Sequence, residues 1–221
     1  AVSVRGLTLA GADAGNYTLA LPANAVADIH RKTIQGTAAA DSKTYDGTTN
    51  APGAIALAGV IAGDQLSASG SFAFTDKNAG EAKTLTISGV AHAGADAGYY
   101  ALVVPATAVA SILKKALSAI ATAQSKTYDG STATQGAVAL NGIVQGDNVS
   151  ASASFAFVDR NAGTAKTVQV TNAVLTGADA GNYTVVVPAS AVADILQRAI
   201  TVAAQPAAKI EGGADPEFGY S

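Results

Sequence analysis

The hexapeptide "SKTYDG" fills residues 42–47 and returns unchanged at 125–130. Each copy sets a possible base, a phenol and a carboxylate beside a glycine: Lys43, Tyr45, Asp46 and Gly47, then Lys126, Tyr128, Asp129 and Gly130. Gathered in a cleft, side chains of these types can move protons. Asp-Gly is equally the pair that a tight turn selects, because Gly takes positive φ at little steric cost and Asp bonds nearby backbone. On that reading the segment is a corner, with Tyr45 and Tyr128 laying their rings over a sheet edge and hydrogen-bonding through the hydroxyl.

Other residues carry chemistry too. Asp46, Asp76 and Asp96 recur as Asp129, Asp159 and Asp179, and Asp64 recurs as Asp147. Calcium takes six to eight oxygen ligands, which loops rich in Asp, Asn and carbonyls can supply. No D-x-[DN]-x-[DN]-G run is present, and each Asp lies within two residues of Gly, Ala or Asn. Asx-type hydrogen bonds that hold turns are therefore the first reading, with calcium at Asp46, Asp76, Asp96, Asp129, Asp159 and Asp179 the second. Lys43, Lys83 and Asn78 recur as Lys126, Lys166 and Asn161, the residue types of an isopeptide crosslink. That condensation needs burial, whereas Lys83 and Asn78 flank what reads as a solvent-facing turn. His30 and His92 fall on Leu113 and Leu175 of the next copy, so neither belongs to a shared site, and both read as surface or rim residues. Triads, P-loops and dinucleotide fingerprints are absent, and no catalytic residue is assigned. "GADAG" is Gly-rich but precedes a strand, so it presents no helix N-terminus to a phosphate.

The elements that position these residues come in repeats. Tyr45 and Tyr128 lie 83 residues apart, as do Asp76 and Asp159, Pro22 and Pro105, and Pro105 and Pro188. "GADAGNY" at 11–17 returns as "GADAGYY" at 94–100 and "GADAGNY" at 177–183, and about half the positions of the two full copies are identical. Such a period suits a small autonomous domain better than a solenoid coil. The chain accordingly divides into the tail of a preceding repeat at 1–29, repeat modules at 30–112 and 113–195, the first strand of a following repeat at 196–208, and vector-derived or linker sequence at 209–221. The lack of an initiator Met and of a signal peptide reads as a piece cut from something longer.

Within a repeat, period-two patterning predicts strands. In "VSASASFAFV" (149–158) Val149, Ala151, Ala153, Phe155 and Phe157 share one face, as do Leu66, Ala68, Gly70, Phe72 and Phe74 in the earlier copy. "DRNAG" (159–163) or "DKNAG" (76–80) then turns the chain into a strand carrying Val168 and Val170, or Leu85 and Ile87, which makes a β-hairpin. Tyr183, Val185 and Val187 alternate likewise, as do Tyr100, Leu102 and Val104, and Tyr17, Leu19 and Leu21. Residues 108–123 and 191–204 also read as extended, because Ile, Val and Thr continue the alternation, and they join modules without a flexible spacer. The expected class is all-β, with tandem small antiparallel sandwiches of immunoglobulin-like type and a β-grasp arrangement as the alternative.

Composition narrows the function. The chain of 221 residues has a formal charge of −3 with scattered Lys and Arg, which argues against nucleic acid. It has no Cys, so disulfides, thiolate metal sites and thiol catalysis are excluded. The longest apolar stretch, residues 101–113, is too short to span a bilayer and contains Pro105.

Taken together, "SKTYDGTT" (42–49), "FAFTDKNAGEAKTLTISG" (72–89), "GADAGYY" (94–100) and "VASILKKAL" (109–117) resemble the YDG-type repeats, and the related MBG-type repeats, of giant bacterial surface adhesins. Such modules occur in filamentous-haemagglutinin-like exoproteins, often secreted by two-partner systems. The resemblance implies an extracellular, cell-surface or biofilm-matrix protein in which modules stack as a stalk. Its implied partners are neighbouring modules of the same chain, with extracellular polysaccharide or another cell's surface as further candidates. It supplies no catalytic residues and no cofactor, and it makes Tyr45, Asp46, Gly47, Tyr128, Asp129 and Gly130 structural. The alternatives are a ligand-binding adhesive module that contacts carbohydrate or another adhesin copy, and a calcium-rigidified extender.

Overall fold

A computed structural model describes residues 2, 5–20, 26–217 and 219. The first repeat contains β1 (Lys32–Ala40), β2 (Lys43–Thr44), β3 (Asn50–Ala51), β4 (Gly53–Ala58), β5 (Ser67–Phe74), β6 (Gly80–Ala93), β7 (Tyr100–Val103) and β8 (Thr107–Leu113). The second contains β9 (Lys115–Ala123), β10 (Lys126–Thr127), β11 (Ala133–Thr134), β12 (Gly136–Asn141), β13 (Ser150–Phe157), β14 (Gly163–Thr176), β15 (Tyr183–Val186) and β16 (Ser190–Leu196). The protein is all-β. Its helical residues among those described are three short 3₁₀ turns, Ala14–Asn16, Ala97–Tyr99 and Ala180–Asn182, one in each "GADAG" copy. No helix among the described residues is long and apolar enough to cross a membrane.

Each repeat forms a three-stranded and a five-stranded sheet, ordered β4-β1-β7 and β2-β8-β6-β5-β3 in the first, β12-β9-β15 and β10-β16-β14-β13-β11 in the second. The expected hairpin is β5–β6, with Phe72 opposite Ile87 and Phe74 opposite Leu85, and β13–β14 repeats it with Phe155 opposite Val170 and Phe157 opposite Val168. Those alternating faces make the core. Phe155, Phe157, Val168, Val170, Ala193 and Ile195 pack against Ala121, Ala123 and Val138 of the other sheet. Gly136 on β12 leaves room for the Phe155 ring, which a Cβ there would meet at 2.5 Å.

Three expectations change. The sheets are mixed rather than antiparallel: β1 pairs in parallel with β7, β9 with β15, β2 with β8 and β10 with β16. Parallel neighbours need long crossovers, and the rest of the repeat supplies them. Residues 17–20 form no strand: β7 gains its ladder from β1, and no described segment pairs with residues 17–20 in that way. Leu21 and Pro22 lie outside the described residues. Residues 197–203 likewise form no strand: β9 depends on β12 and β15, and no described segment pairs with residues 197–203 in that way. Residues 108–123 are strands as read, with Lys114 alone separating β8 from β9.

The chain divides into two compact units. The first comprises Ala1–Ser42, Thr49–Thr75 and Ala82–Ala110; the second comprises Lys43–Thr48, Asp76–Glu81 and Ser111–Ser221. Two loops of the first repeat, the YDG corner and the β5–β6 turn, thus fold with the second repeat.

Candidate functional site

The corner is built by its own side chains. Lys43 Nζ donates to Asp46 Oδ1 at 2.8 Å, to the Thr48 carbonyl at 2.8 Å and to Thr48 Oγ1 at 2.9 Å. Asp46 Oδ1 also accepts the Thr48 N–H and hydroxyl, both at 2.9 Å, which is an Asx turn. Lys126 and Asp129 repeat this with Ser131, and Lys126 adds the Ala133 carbonyl at 2.9 Å. Gly47 and Gly130 both have φ of 80°, as the turn reading requires. The Lys126 hydrogen bond, with those of the Ser131 N–H and hydroxyl, holds the Asp129 carboxyl at about 2. Burial works to raise the Asp46 pKa, and the bonds from Lys43 and Thr48 outweigh it, so this carboxyl too lies below its usual range. A lysine and a carboxylate bonded to each other this way hold a turn, and the lowered carboxyls are not poised to take up a proton at neutral pH.

The tyrosine does something the corner itself does not need. Tyr45 N–H donates to the Leu113 carbonyl at 2.8 Å, and its side chain, 1% exposed, reaches the loops of the second repeat. Its hydroxyl donates to Asp147 Oδ2 at 2.8 Å, and its ring meets Tyr183 edge-on at 5.4 Å. The Tyr183 hydroxyl donates to the same oxygen at 2.6 Å and accepts the Val144 N–H at 2.9 Å. Asp147 Oδ1 takes Lys77 Nζ at 2.9 Å, and Lys77 lies 3.4 Å from Asp179 Oδ1 and 5.9 Å from the Tyr45 ring centroid. Beside it Asn182 accepts the Ala79 N–H at 2.9 Å and donates to Asn78 Oδ1 at 3.3 Å. The β5–β6 turn is therefore a contact surface in the first repeat, not the solvent-facing turn that its polarity suggested. Its equivalent residues Arg160, Asn161 and Ala162 are exposed.

The Asp147 side chain is only 3% exposed, yet it is fully partnered. Burial alone would raise its pKa; hydrogen bonds from Tyr183, Lys77 and Tyr45 overcome this and hold it below the usual carboxylate range. Lys77 is raised in turn, chiefly by Asp147. Burial, reinforced by Asp147, raises Tyr45 and pushes Tyr183 up to about 12, while Tyr100 is raised by its bond to Asp64 and then by burial. A phenol whose folded pKa exceeds its unfolded value stabilises the fold below about pH 10, and that contribution disappears as pH climbs through the folded value. Tyr45 and Tyr100 should therefore ionise above the usual phenol range and Tyr183 near 12, and the stability they contribute should fade as pH rises through those values. A tyrosinate absorbance titration followed alongside circular dichroism checks this; all seven phenols ionising near 10 in a folded chain would contradict it.

The remaining carboxylates divide into two kinds. Asp76 and Asp159 make Asx turns with the N–H of Asn78 and Asn161, each at 2.8 Å. Asp96 and Asp179 instead reach across to the Gln65 and Asn148 N–H groups, at 2.8 and 2.9 Å, and clamp one loop to another. The expectation of a local turn fails for these two. No cluster of three metal-ligating side chains occurs among the described residues. Lys166 pairs with Asp159 at 2.6 Å, and that carboxylate is 48% exposed, not enclosed by apolar side chains as an isopeptide crosslink requires. His92 sits at the rim with Nε2 3.3 Å from the Ala97 carbonyl.

Sequence reasoning gave Asp64 and Asp147 the same turn-holding role as the other aspartates, whereas Asp147 accepts Tyr45, Tyr183 and Lys77; it passed over Lys77 and saw in Asn182 only the counterpart of Tyr99. The available signal was the joint retention of Asp64 with Tyr100 and of Asp147 with Tyr183.

The family model of the YDG domain matches residues 30–109 and again residues 113–192. The chain belongs to the YDG domain family. Its two YDG domains begin 83 residues apart, and the tripeptide is the corner that seats Tyr45. No curated protein and no solved structure matches this YDG chain.

Proposed function

We propose that the chain is a non-catalytic stalk or spacer segment of a bacterial cell-surface or biofilm-matrix adhesin, exported from the cell. The observation that carries this reading is Tyr45: the most distinctive residue of the repeat is spent on joining one repeat to the next through Asp147. The recurring carboxylates and lysines are likewise engaged with their own turns and loops. Lys114, the single residue between β8 and β9, leaves no flexible spacer between repeats. Each repeat is then an immunoglobulin-like sandwich. The alternative β-grasp arrangement requires a helix across its sheet, whereas the helical residues here are three-residue turns.

Two experiments test the reading. The purified chain should give no specific signal on glycan and matrix-protein arrays, and antibody against it should label intact producing cells. Saturable binding to one ligand class would favour the adhesive-module alternative, with exposed Tyr99 as its first candidate contact. Melting in calcium and in chelator separates out the extender alternative. The midpoints should coincide, whereas a bound ion at one hundred times its Kd would add about 2.7 kcal/mol.

A further inference from the structure

Each repeat is closed by parallel pairing between its early strands and its late ones. In the second repeat β9 lies beside β15 in one sheet, over four residue pairs from Lys115 opposite Tyr183 to Ser118 opposite Val186. In the other sheet β10 lies beside β16, with Lys126 opposite Ile195 and Thr127 opposite Leu196. The first repeat does the same, with β1 beside β7 and β2 beside β8. Parallel pairs are slightly less stable per residue than antiparallel ones, so equilibrium stability does not account for this arrangement. We propose that it makes each YDG domain a load-bearing clamp, which resists tension applied along the chain.

Tension enters the second repeat at Lys115, the start of β9, and leaves it at Leu196, the end of β16. Where early and late strands pair antiparallel, entry and exit lie at the same end of the ladder. A pull then peels the hydrogen bonds apart one at a time. Where such strands pair in parallel, entry and exit lie at opposite ends, and a pull slides one strand along the other. The bonds of the ladder then carry the load together. Both sheets of the repeat set an early strand beside a late one, so sliding has two ladders to break.

The β10 strand has only two residues, but its surroundings keep it from slipping. Before it, Ser125 Oγ accepts the Asp194 N–H at 2.9 Å; after it, the Tyr128 N–H donates to the Leu196 carbonyl at 2.8 Å. Immediately beyond stands the YDG corner, closed by Lys126 of β10 itself on Asp129 at 2.8 Å. Tension draws β10 back toward its start, and it cannot pass β16 unless that turn opens. The corner is therefore a stop. In the first repeat Tyr45 N–H and the Leu113 carbonyl make the same bond at 2.8 Å, beside the same closure of Lys43 on Asp46. Both copies of the hexapeptide can thus serve this way.

The clamp goes beyond the spacer reading, because a spacer sets reach whatever its strength. The chain has no Cys, so pairs of introduced cysteines fix where force is applied. In the intact chain, Lys114→Cys with Gln197→Cys pulls the second repeat end to end. Lys114→Cys with Gly181→Cys pulls instead at the starts of β9 and β15, which peels that ladder. All three positions are exposed and Gly181 has open space around it, so the folds survive, as urea unfolding would check. Forced unfolding follows the unfolding barrier in the direction pulled, not the equilibrium stability. Single-molecule unfolding at one pulling speed should therefore need severalfold more force end to end than in the peeling direction. Asp129→Ala should lower the end-to-end force and leave the peeling force unchanged. Equal forces in the two directions, or an end-to-end force indifferent to Asp129→Ala, overturns the proposal. Either result would leave the spacer reading in place, since cell labelling and binding arrays test that separately.

Discussion

Asp147→Ala should cost the second unit about 3 kcal/mol in denaturant unfolding, one of the two largest losses expected from any single side chain outside the apolar core. The carboxylate is 3% exposed and accepts two phenols and an ammonium, at 2.8, 2.6 and 2.9 Å. Hydrogen bonds to a charged acceptor contribute about 1.5–3 kcal/mol each, but they are not additive, and water re-enters the vacated space to recover part. Asp147→Asn should cost less, about 2 kcal/mol, because an amide oxygen still receives the phenols while the pairing with Lys77 is lost. Tyr45→Phe should cost about 1 kcal/mol, since it removes one donor and keeps the edge-on contact with Tyr183. That ordering, Ala worse than Asn and Asn worse than the phenol deletion, distinguishes a buried acceptor from a surface charge. Equal and negligible effects would mean that the carboxylate is solvated.

Gly177→Ala should be at least as damaging, at about 4 kcal/mol, and for a different reason. Gly177 has φ of +111°, outside the range that L side chains adopt, and an added Cβ would lie 2.3 Å from the Asn148 carbonyl oxygen. Relief requires the "GADAG" loop to withdraw from residue 148, which breaks the Asp179 clamp and drags Tyr183 off Asp147. Gly94 stands in the same position against the Gln65 carbonyl oxygen, at 2.2 Å, so Gly94→Ala should disable the first repeat alike. Gly181, the last glycine of the same motif, has open space around it, and Gly181→Ala should leave the unfolding midpoint essentially unchanged. Urea unfolding of the three variants provides the comparison. Equal effects at Gly177 and Gly181 would show that the motif needs flexibility rather than close approach.

What could be read from the sequence was what repeats locally. Phe155 and Phe157 flank Ala156 and continue the face opposite Ser150, Ser152 and Ser154, and a strand has no other way to bury both, so the β13–β14 hairpin and its facing Val168 and Val170 followed. Asp46–Gly47 needed a turn, and Gly47 supplies one with φ of 80°. Long-range partnership was less visible. Nothing local to Tyr17 announces that its strand needs the equivalent of β1, so alternation alone suggested a ladder that does not form. The parallel closure of β8 on β2 involves only Lys43 and Thr44 opposite Ile112 and Leu113, too short a register to leave a pattern.

The site was half legible for the same reason. Retention of Tyr45 and Asp147 at equivalent places in both copies marks them as part of the common plan. A pattern with period 83 does not say whether Tyr45 meets the aspartate of its own repeat or of the next. Tyr100 and Tyr183 already occupy the near side of each carboxylate, which leaves the far side for a tyrosine from another repeat.

A double-mutant cycle decides whether Tyr45 meets Asp147 as described. Tyr45→Phe, Asp147→Ala and the double variant are unfolded in urea, with Tyr128→Phe in place of Tyr45→Phe as the parallel cycle. A hydrogen bond between Tyr45 and Asp147 predicts a coupling of about 1 kcal/mol in the first cycle and none in the second. Additive costs in both cycles would mean that the phenol and the carboxylate do not meet, and the joint between the two YDG domains would have to be abandoned.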